Sequence, residues 1–383
     1  MKEIRVGIIG CGIIANAHAR KYGEIPGVKI VAACDINAGK LDGFCEKYKI
    51  ENKYADFREL LKRDDMDAVD VCVHNNLHAP VTVRVLEAGF HCYCEKPMAG
   101  AYADALLMYD RARECGKHLH IQLATLYSPQ ADCAKKFIDD GNLGHIYHAR
   151  SYGYRRRGRP FVDGYATKEF DSRYWAAGGA LYDMGVYYIS QLLYLLNNPK
   201  VARISGQVYQ ELDMHEGRRA ESGFDVEELG CGFVKFEGGL TMDILESWAI
   251  HAGDFPASII AGSKGGLSIS PVNKHDGAIE FYNEISGYPV SSTLDVNAEH
   301  YRQSMIDPSL NDRGHPQNAW ITALRGECAW PVTPDIALNT MLISEGIFKS
   351  SASGREVTAD EIKKESKSLY IRKQETPFGY IEY

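Results

Sequence analysis

Apolar and polar positions alternate along the first third of the chain in blocks of two lengths. Residues 4–9 (Ile-Arg-Val-Gly-Ile-Ile) form an apolar run of strand length, and a helix-compatible segment follows to about Tyr22. A second strand-like run spans Val28 to Ala33. Phe57–Arg63 then reads as a short helix, Ala68–Val73 as a strand, and His78–Ala88 as a helix. His91–Glu95 reads as a strand, Ala101–Cys115 as a helix, and His118–Ala124 as a strand. Strands alternating with helices predict βαβ units and a parallel, doubly wound sheet. Beyond Val201 the pattern changes. To about Leu294 short strand-like runs alternate with turn residues, and Gly238-Gly239 and Gly265-Gly266 read as hairpin signals. An antiparallel sheet is expected there. Ala319–Gly326 and Ile336–Ser353 read as helices belonging to this second half.

The first strand-to-helix turn carries chemistry. Gly10-Cys11-Gly12-Ile13-Ile14-Ala15 is a G-x-G-x-x-A pattern between a strand and a helix. Gly10 permits the tight turn, Gly12 lets a pyrophosphate approach the backbone, and small Ala15 lets the helix pack closely. The helix start at Ile13 and Ile14 offers N–H groups and a positive dipole end to phosphates. Asp35 ends the second strand, where a carboxylate meets an adenosine ribose; capping of the next helix is the other reading. Ile36 and Asn37 follow it with no arginine to receive a 2′-phosphate, which favours NAD over NADP. Ligands of such sheets bind beyond the carboxyl ends of the strands. Asp35, His74-Asn75-Asn76-Leu77-His78 and Glu95-Lys96-Pro97 all fall there. From spacing alone Lys96 is either a surface lysine on a loop or a group poised at the cofactor crevice.

Composition narrows the class. The 383 residues exceed one ordinary core, so two domains are expected. We place them at 1–125 and 126–357, with a tail at 358–383. A net charge of −8 argues against nucleic-acid binding through phosphates. With 45% apolar and 25% charged residues the chain reads as globular, not disordered. No apolar run reaches membrane-spanning length. The ten cysteines form no CxxC pair and several sit in strand-like runs, which suggests reduced thiols and a cytoplasmic protein. Lys2 and Arg5 before an apolar stretch imitate a secretory signal, but Gly7, Gly10 and Gly12 interrupt it and the dinucleotide turn explains it. His118/His120 and Cys92/Cys94 pair at strand period, yet zinc usually needs four ligands, and no metal site is expected.

Taken in order, Gly10–Ala15, Asp35, Asn76-Leu77-His78, Glu95-Lys96-Pro97-Met98-Ala99 and Gly178-Gly179-Ala180-Leu181-Tyr182-Asp183-Met184-Gly185 resemble the Gfo/Idh/MocA family of sugar and polyol oxidoreductases. The resemblance runs from Ile4 to about Val357. It implies an α/β protein: an N-terminal Rossmann domain, then an α/β domain whose open, mostly antiparallel sheet lies behind the substrate pocket. It implies NAD held by Gly10, Gly12, Ile13, Ile14, Asp35, Asn76, His78 and Glu95. It also implies contact between Lys96 and the reacting hydroxyl, with Asp183 on the second domain's helix. The family's histidine four residues after that Asp is replaced here by Tyr187, and i,i+4 spacing places Asp183 and Tyr187 on one helical face. Ser190 stands where a later Asp is usual, and His74-Asn75 where Thr-Pro is usual.

Oxidising a secondary alcohol needs a base for the hydroxyl proton while hydride leaves. A free phenol, titrating near 10, is a poor base, and a neighbouring ammonium lowers that value. A Lys96/Tyr187 couple with Asp183 as orienting group is therefore expected. Arg157, in the Arg155–Arg159 loop, is expected to meet the sugar, and Trp175 to supply a stacking face. The expected partners are a small carbohydrate or cyclitol and further copies of the chain, as a homodimer or homotetramer. Two other functions fit the pattern: a redox-neutral, NAD-dependent glycoside-cleaving or epimerising enzyme, and a non-catalytic NAD-binding regulator.

Overall fold

The computed structural model describes residues 2–253, 257–270, 278–307 and 314–383. Residues 271–277, inside the region read as alternating strands, lie outside the described residues. The chain divides into two compact units. The first comprises Met1–Gln122, Pro316–Pro334 and Lys367–Tyr383; the second comprises Leu123–His315 and Asp335–Ser366. The continuous division expected from sequence thus differs from the observed one, because two later segments return to the first unit. Helix Pro316–Leu324 is one of them, so it is not a helix of the second half.

In the first unit, β1 (Ile4–Ile9), β2 (Val28–Cys34), β3 (Asn52–Tyr54), β4 (Ala68–Val71), β5 (His91–Cys94) and β6 (Leu119–Ile121) form a parallel sheet of order β3-β2-β1-β4-β5-β6. Ile4, Val6 and Ile8 are fully buried, as expected of a strand covered on both faces. The strand order reverses between β1 and β4, the switch point at which such sheets bind ligands. Five helices follow the strands: α1 (Ile13–Glu24), α2 (Ala38–Tyr48), α3 (Phe57–Leu60), α4 (Asn75–Glu87) and α5 (Tyr102–Glu114). Helix α4 begins three residues before the sequence suggested, with His74 at its N-cap, so His78 lies inside it. The returning helix Pro316–Leu324 inserts Trp320 and Ile321 into a cluster with Ile4, Val6, Tyr22 and Tyr93. The segment from Lys367 onward crosses the first turns of three helices. Asp104 of α5 accepts the Leu369 and Tyr370 amides, the Asn76 carbonyl of α4 accepts Ile371, and Phe57 of α3 stacks on Tyr383.

The second unit is built on a nine-stranded sheet. Its strands are β7 (Ile146–Tyr154), β8 (Val201–Tyr209), β9 (Leu229–Phe236), β10 (Thr241–Ser247), β11 (Ser258–Gly262), β12 (Gly265–Ile269), β13 (Ile279–Ile285), β14 (Tyr288–Leu294) and β15 (Val357–Thr358). The order is β14-β13-β12-β11-β7-β10-β9-β8-β15, antiparallel except for the β7/β10 pair. Gly238-Gly239 does turn β9 into β10. Gly265-Gly266 instead opens β12, and Ser263-Lys264 make that turn. One face is apolar and buried, through Ala149, Val234, Met242, Ile244, Ile260 and Leu267. The register puts Arg150, Phe233, Asp243 and Tyr282 on the other. Four helices matter below: α6 (Pro129–Asp139), α7 (Arg173–Ala176), α8 (Ala180–Asp183) and α9 (Gly185–Leu195). Among the described residues no helix is long and apolar enough to cross a membrane.

Candidate functional site

At the switch point the backbone is shaped to receive a phosphate. Gly10 has φ of +93°, and a Cβ there would sit 2.3 Å from the Cys72 carbonyl, so no side chain is tolerated. A Cβ on Gly12 would meet nothing within 4 Å, and the N-terminus of α1 has no side-chain cap. Its first N–H groups therefore face open space. Ile13 and Ile14 are 79% and 40% exposed, although both are large apolar residues. Asp35 clasps this turn: one carboxylate oxygen accepts the Cys11 amide at 2.8 Å and the other the Asn37 amide at 2.7 Å. Asn37, not Asp35, caps α2, which removes the capping reading of Asp35. The open cradle, exposed apolar flank and half-buried carboxylate fit a dinucleotide.

The Glu95-Lys96-Pro97 turn leaves the end of β5. Lys96 is half-buried and its amide donates to the Glu95 carboxylate at 3.1 Å. Glu95 is buried. Its other oxygen faces His18 Nε2 at 2.9 Å, and His18 Nδ1 lies 2.9 Å from Asp70. Neither His18 Nε2 nor that Glu95 oxygen has a well-aligned hydrogen bond among the described residues, so their contact is an ion pair. Burial opposes the imidazolium, but Asp70 and Cys72 together outweigh it and hold His18 well above the ordinary imidazole value. Burial likewise pushes Glu95 up, and His18, with Lys96 and His78 adding to it, more than offsets this, leaving it below the usual carboxylate value. His78 is fully buried, with Nδ1 2.7 Å from the Pro97 carbonyl and Nε2 3.1 Å from that of Val73. Burial lowers its pKa, although contacts to two carbonyls favour the proton. His78 therefore braces the Lys96–Pro97 turn and β4. Asn76 is buried at the first turn of α4.

His18, Asp70 and Cys72 bring donor atoms within 4.8 Å of one another. All three are buried and bonded together, with Cys72 Sγ 3.3 Å from Asp70, so hydrogen bonding accounts for the cluster. His118 stacks on Trp330 and His120 on Tyr93, which separates the histidines of that pair into ring packing.

In the second unit the glycine-rich segment turns at Gly178-Gly179 into two short helices. Helix α8 ends at Asp183 and α9 starts at Gly185, with Met184 between them in αR backbone, so the i,i+4 pair Asp183 and Tyr187 spans the junction of two short helices. A Cβ on Gly179 would stand 1.9 Å from the Glu227 carbonyl. The Glu227 carboxylate accepts the Gly179 and Leu181 amides at 2.7 and 2.9 Å, pinning the corner from below. Burial pushes its pKa up to about 7, against the pull of those two N–H groups. Asp183 accepts Trp248 Nε1 at 2.9 Å. Tyr187 is half-buried against Met184, Tyr188 and Trp248, and its carbonyl accepts the Thr125 hydroxyl. Tyr188 is buried near Glu246, and burial raises both groups.

The arginine loop divides its labour. Arg159 is buried and bonded to Asp163, Glu228 and the Leu212 and Asp213 carbonyls. Arg157 has a side chain 70% exposed and reaches Asp163 at 3.3 Å. Trp175 is half-buried, edge-on to Tyr174. A separate cleft of about 400 Å³ is lined by Arg173, Tyr209, Asp225, Glu227 and Phe348, and contains none of Asp183, Tyr187 or Trp175. Sequence reasoning missed His18, Asp70, Glu227 and Trp248. Its available signal was a polar residue on an apolar stripe: His18 lies between Ala15 and Tyr22 on the buried face of α1, and Asp70 sits in an apolar strand.

The chain is similar to known proteins along most of its length. Residues 4–123 match the family model described as an oxidoreductase family with NAD-binding Rossmann fold, and residues 132–268 match the GFO/IDH/MocA C-terminal domain. The chain is 28% identical over 317 residues to D-glucoside 3-dehydrogenase of Escherichia coli K12, covering 75% of this chain and 89% of that protein. It is 34% identical over 154 residues to inositol 2-dehydrogenase of Salmonella typhimurium, covering 39% of this chain and 46% of that protein. Among solved structures, levoglucosan dehydrogenase in complex with NADH and levoglucosan superposes with a TM-score of 0.77 at 18% identity, covering 94% of this chain and 100% of that one.

Proposed function

The chain belongs to the Gfo/Idh/MocA family of oxidoreductases, and on that premise we propose that it oxidises a secondary ring hydroxyl of a sugar, sugar derivative or cyclitol, with NAD as hydride acceptor. One observation carries the reading: Lys96 emerges at the carboxyl end of β5, beside the switch-point cradle, on a turn held by buried Glu95 and His78. Similarity to a glucoside 3-dehydrogenase over most of the chain points to a pyranoside as substrate.

In this reading Gly10, Gly12 and the start of α1 take the pyrophosphate, and Asp35 takes the adenosine ribose diol. Ile13 and Ile14 cover the cofactor's apolar side, while Asn76, His78 and Glu95 support its nicotinamide end from behind. Bound NAD supplies a ring carbon that accepts hydride. Lys96 donates a hydrogen bond to the reacting hydroxyl and stabilises the developing alkoxide. Tyr187 receives the hydroxyl proton. Asp183, fixed by Trp248, accepts a hydrogen bond from a neighbouring sugar hydroxyl. Arg157 and Trp175 are the pocket's polar and stacking contacts. A homodimer or homotetramer through the open face of the second sheet belongs to the same proposal, supported by exposed Phe233 and Tyr282.

The test is a panel of glycosides, free sugars and cyclitols with purified protein and NAD. NADH accumulation with one substrate class is expected. Lys96→Met and Tyr187→Phe should each lower kcat on the order of 10³-fold while NAD affinity stays unchanged. Full activity in Tyr187→Phe would make that residue a pocket wall. Release of an aglycone, or epimerisation, without net NADH would replace this reading by the redox-neutral one. Binding of NAD with neither reaction would leave a regulator.

A further inference from the structure

The arginines of the loop after β7 are not equivalent. Arg157 and Arg159 both reach Asp163, and Arg159 also holds Glu228. Arg155 meets no carboxylate among the described residues. Its Nη1 donates to the Gly158 carbonyl at 3.1 Å and to the Tyr165 hydroxyl, which itself donates to that carbonyl at 2.8 Å. The guanidinium carbon lies 5.1 Å from the centre of the Tyr165 ring. A Cβ on Gly158 would stand 2.7 Å from Arg155 Cδ, so the glycine makes room for the arginine stem. One corner of the guanidinium is thus fixed. The Nε–Nη2 edge meets no acceptor among the described residues, and neither nitrogen is sealed from solvent. That edge is the planar fork that takes a carboxylate through two parallel hydrogen bonds.

We propose that Arg155 determines substrate specificity: its open edge binds a carboxylate on the substrate, so the preferred substrate is an acidic pyranoside such as a hexuronide. This rests on the reading of Asp183 and Tyr187 as residues of the substrate pocket. β7 and β10 run parallel, and Tyr154 and Ser247 end them side by side. Just beyond, the Arg155 amide donates to the Ser247 carbonyl at 2.8 Å. Trp248, the next residue, gives its indole N–H to Asp183 at 2.9 Å. Burial and Glu246 raise the Tyr188 phenol while Arg155 pulls it down, so the guanidinium acts at the α9 residue next to Tyr187. A carboxylate approaching a chain of net charge −8 needs a local cation that no protein carboxylate already neutralises. Arg155 meets that need, whereas Arg157 and Arg159 are spent on Asp163 and Glu228. A neutral pyranoside offers the edge only hydroxyl oxygens, which bond more weakly. A phosphate ester fits the same fork but carries nearly a second charge, and one guanidinium matches a carboxylate better.

Full-length wild type, Arg155→Gln and Arg155→Lys decide the matter with methyl glucuronide, methyl glucoside and methyl glucoside 6-phosphate as probes. Two quantities are read. One is the kcat–KM split for oxidation coupled to NAD. The other needs no turnover: the rise in melting temperature that each probe causes in the presence of NADH. The wild type should show a KM for the glucuronide on the order of 10- to 100-fold below that for the glucoside. Arg155→Gln should raise the glucuronide KM by about that factor, with the loss in KM and not in kcat, so that the two substrates converge. Arg155→Lys keeps the charge without the fork and should fall between. Equal losses on glucuronide and glucoside would make Arg155 a brace of its loop and overturn the proposal. A wild type that prefers the glucoside, or responds most to the phosphate ester, overturns it without any variant having to fold. If no probe is oxidised, the redox reading fails while the melting shifts still decide on Arg155. A glucuronide shift abolished in Arg155→Gln upholds the proposal, and equal or absent shifts with glucuronide and glucoside overturn it.

Discussion

Asp171 is fully buried and neither carboxylate oxygen has a hydrogen-bond partner among the described residues. Burial, with nearby Asp163 adding to it, pushes its pKa up to about 7. An unfolded Asp titrates near 3.9, so between these values the folded state binds the extra proton. Stability from this group is present below the unfolded value and is lost as pH rises through the folded one. Asp171→Asn keeps the shape without the charge. Its melting temperature should gain on the wild type from about pH 4 to about pH 7 and level off above that; a constant difference across this range would show that Asp171 does not titrate there. At this scale the sequence was informative where chemistry sits at an element's end. Gly10, Gly12, Asp35 and Lys96 all follow a strand, and rules for strand ends locate them. His18 was illegible because its two partners lie 52 and 77 residues onward (70 − 18 and 95 − 18), and no local period links them.

Elements were read best where one period dominates. Strands β1, β2, β4 and β5 were read within two residues because their apolar runs are continuous, whereas β6 was read three residues too far and short β3 was not read at all. Boundaries failed where tertiary contacts override local preference. Helix α4 starts at Asn75, and β12 uses Gly265 and Gly266 as strand residues because Gly265 packs against Phe281 and the Asn142 carbonyl. The interruption at Met184 between α8 and α9 was also hidden, since Asp183 and Tyr187 satisfy i,i+4 spacing whether or not the helix is continuous. The corner before α8 depends on Gly179, where the Glu227 backbone and Trp248 close the space of any side chain. Gly179→Ala should cost about 3 kcal/mol and lower the melting temperature, because backbone must move to admit the methyl group. A variant melting with the wild type would mean that the corner is loose.

For the whole molecule, sequence supplied two halves and the structure supplied their interleaving. The first unit takes Trp320 and Ile321 from a helix some two hundred residues beyond β6, and composition carries no trace of such a return. Residues 1–122 expressed alone should bind a hydrophobic dye and melt without a cooperative transition, since Ile4, Val6, Tyr22 and Tyr93 lose that cover. A sharp transition in the fragment would show the helix to be dispensable. The segment from Lys367 has a consequence on the ribosome. Asp104 waits for the Leu369 and Tyr370 amides, so the unit begun first is completed last. At about 5–20 residues per second, roughly 10 to 50 s separate translation of Gln122 from that of Tyr383. Until the Pro316–Leu324 helix is made, Ile4, Val6, Tyr22 and Tyr93 of the nascent nucleotide-binding unit lack their cover, and a chaperone that shields them would set the yield of folded enzyme.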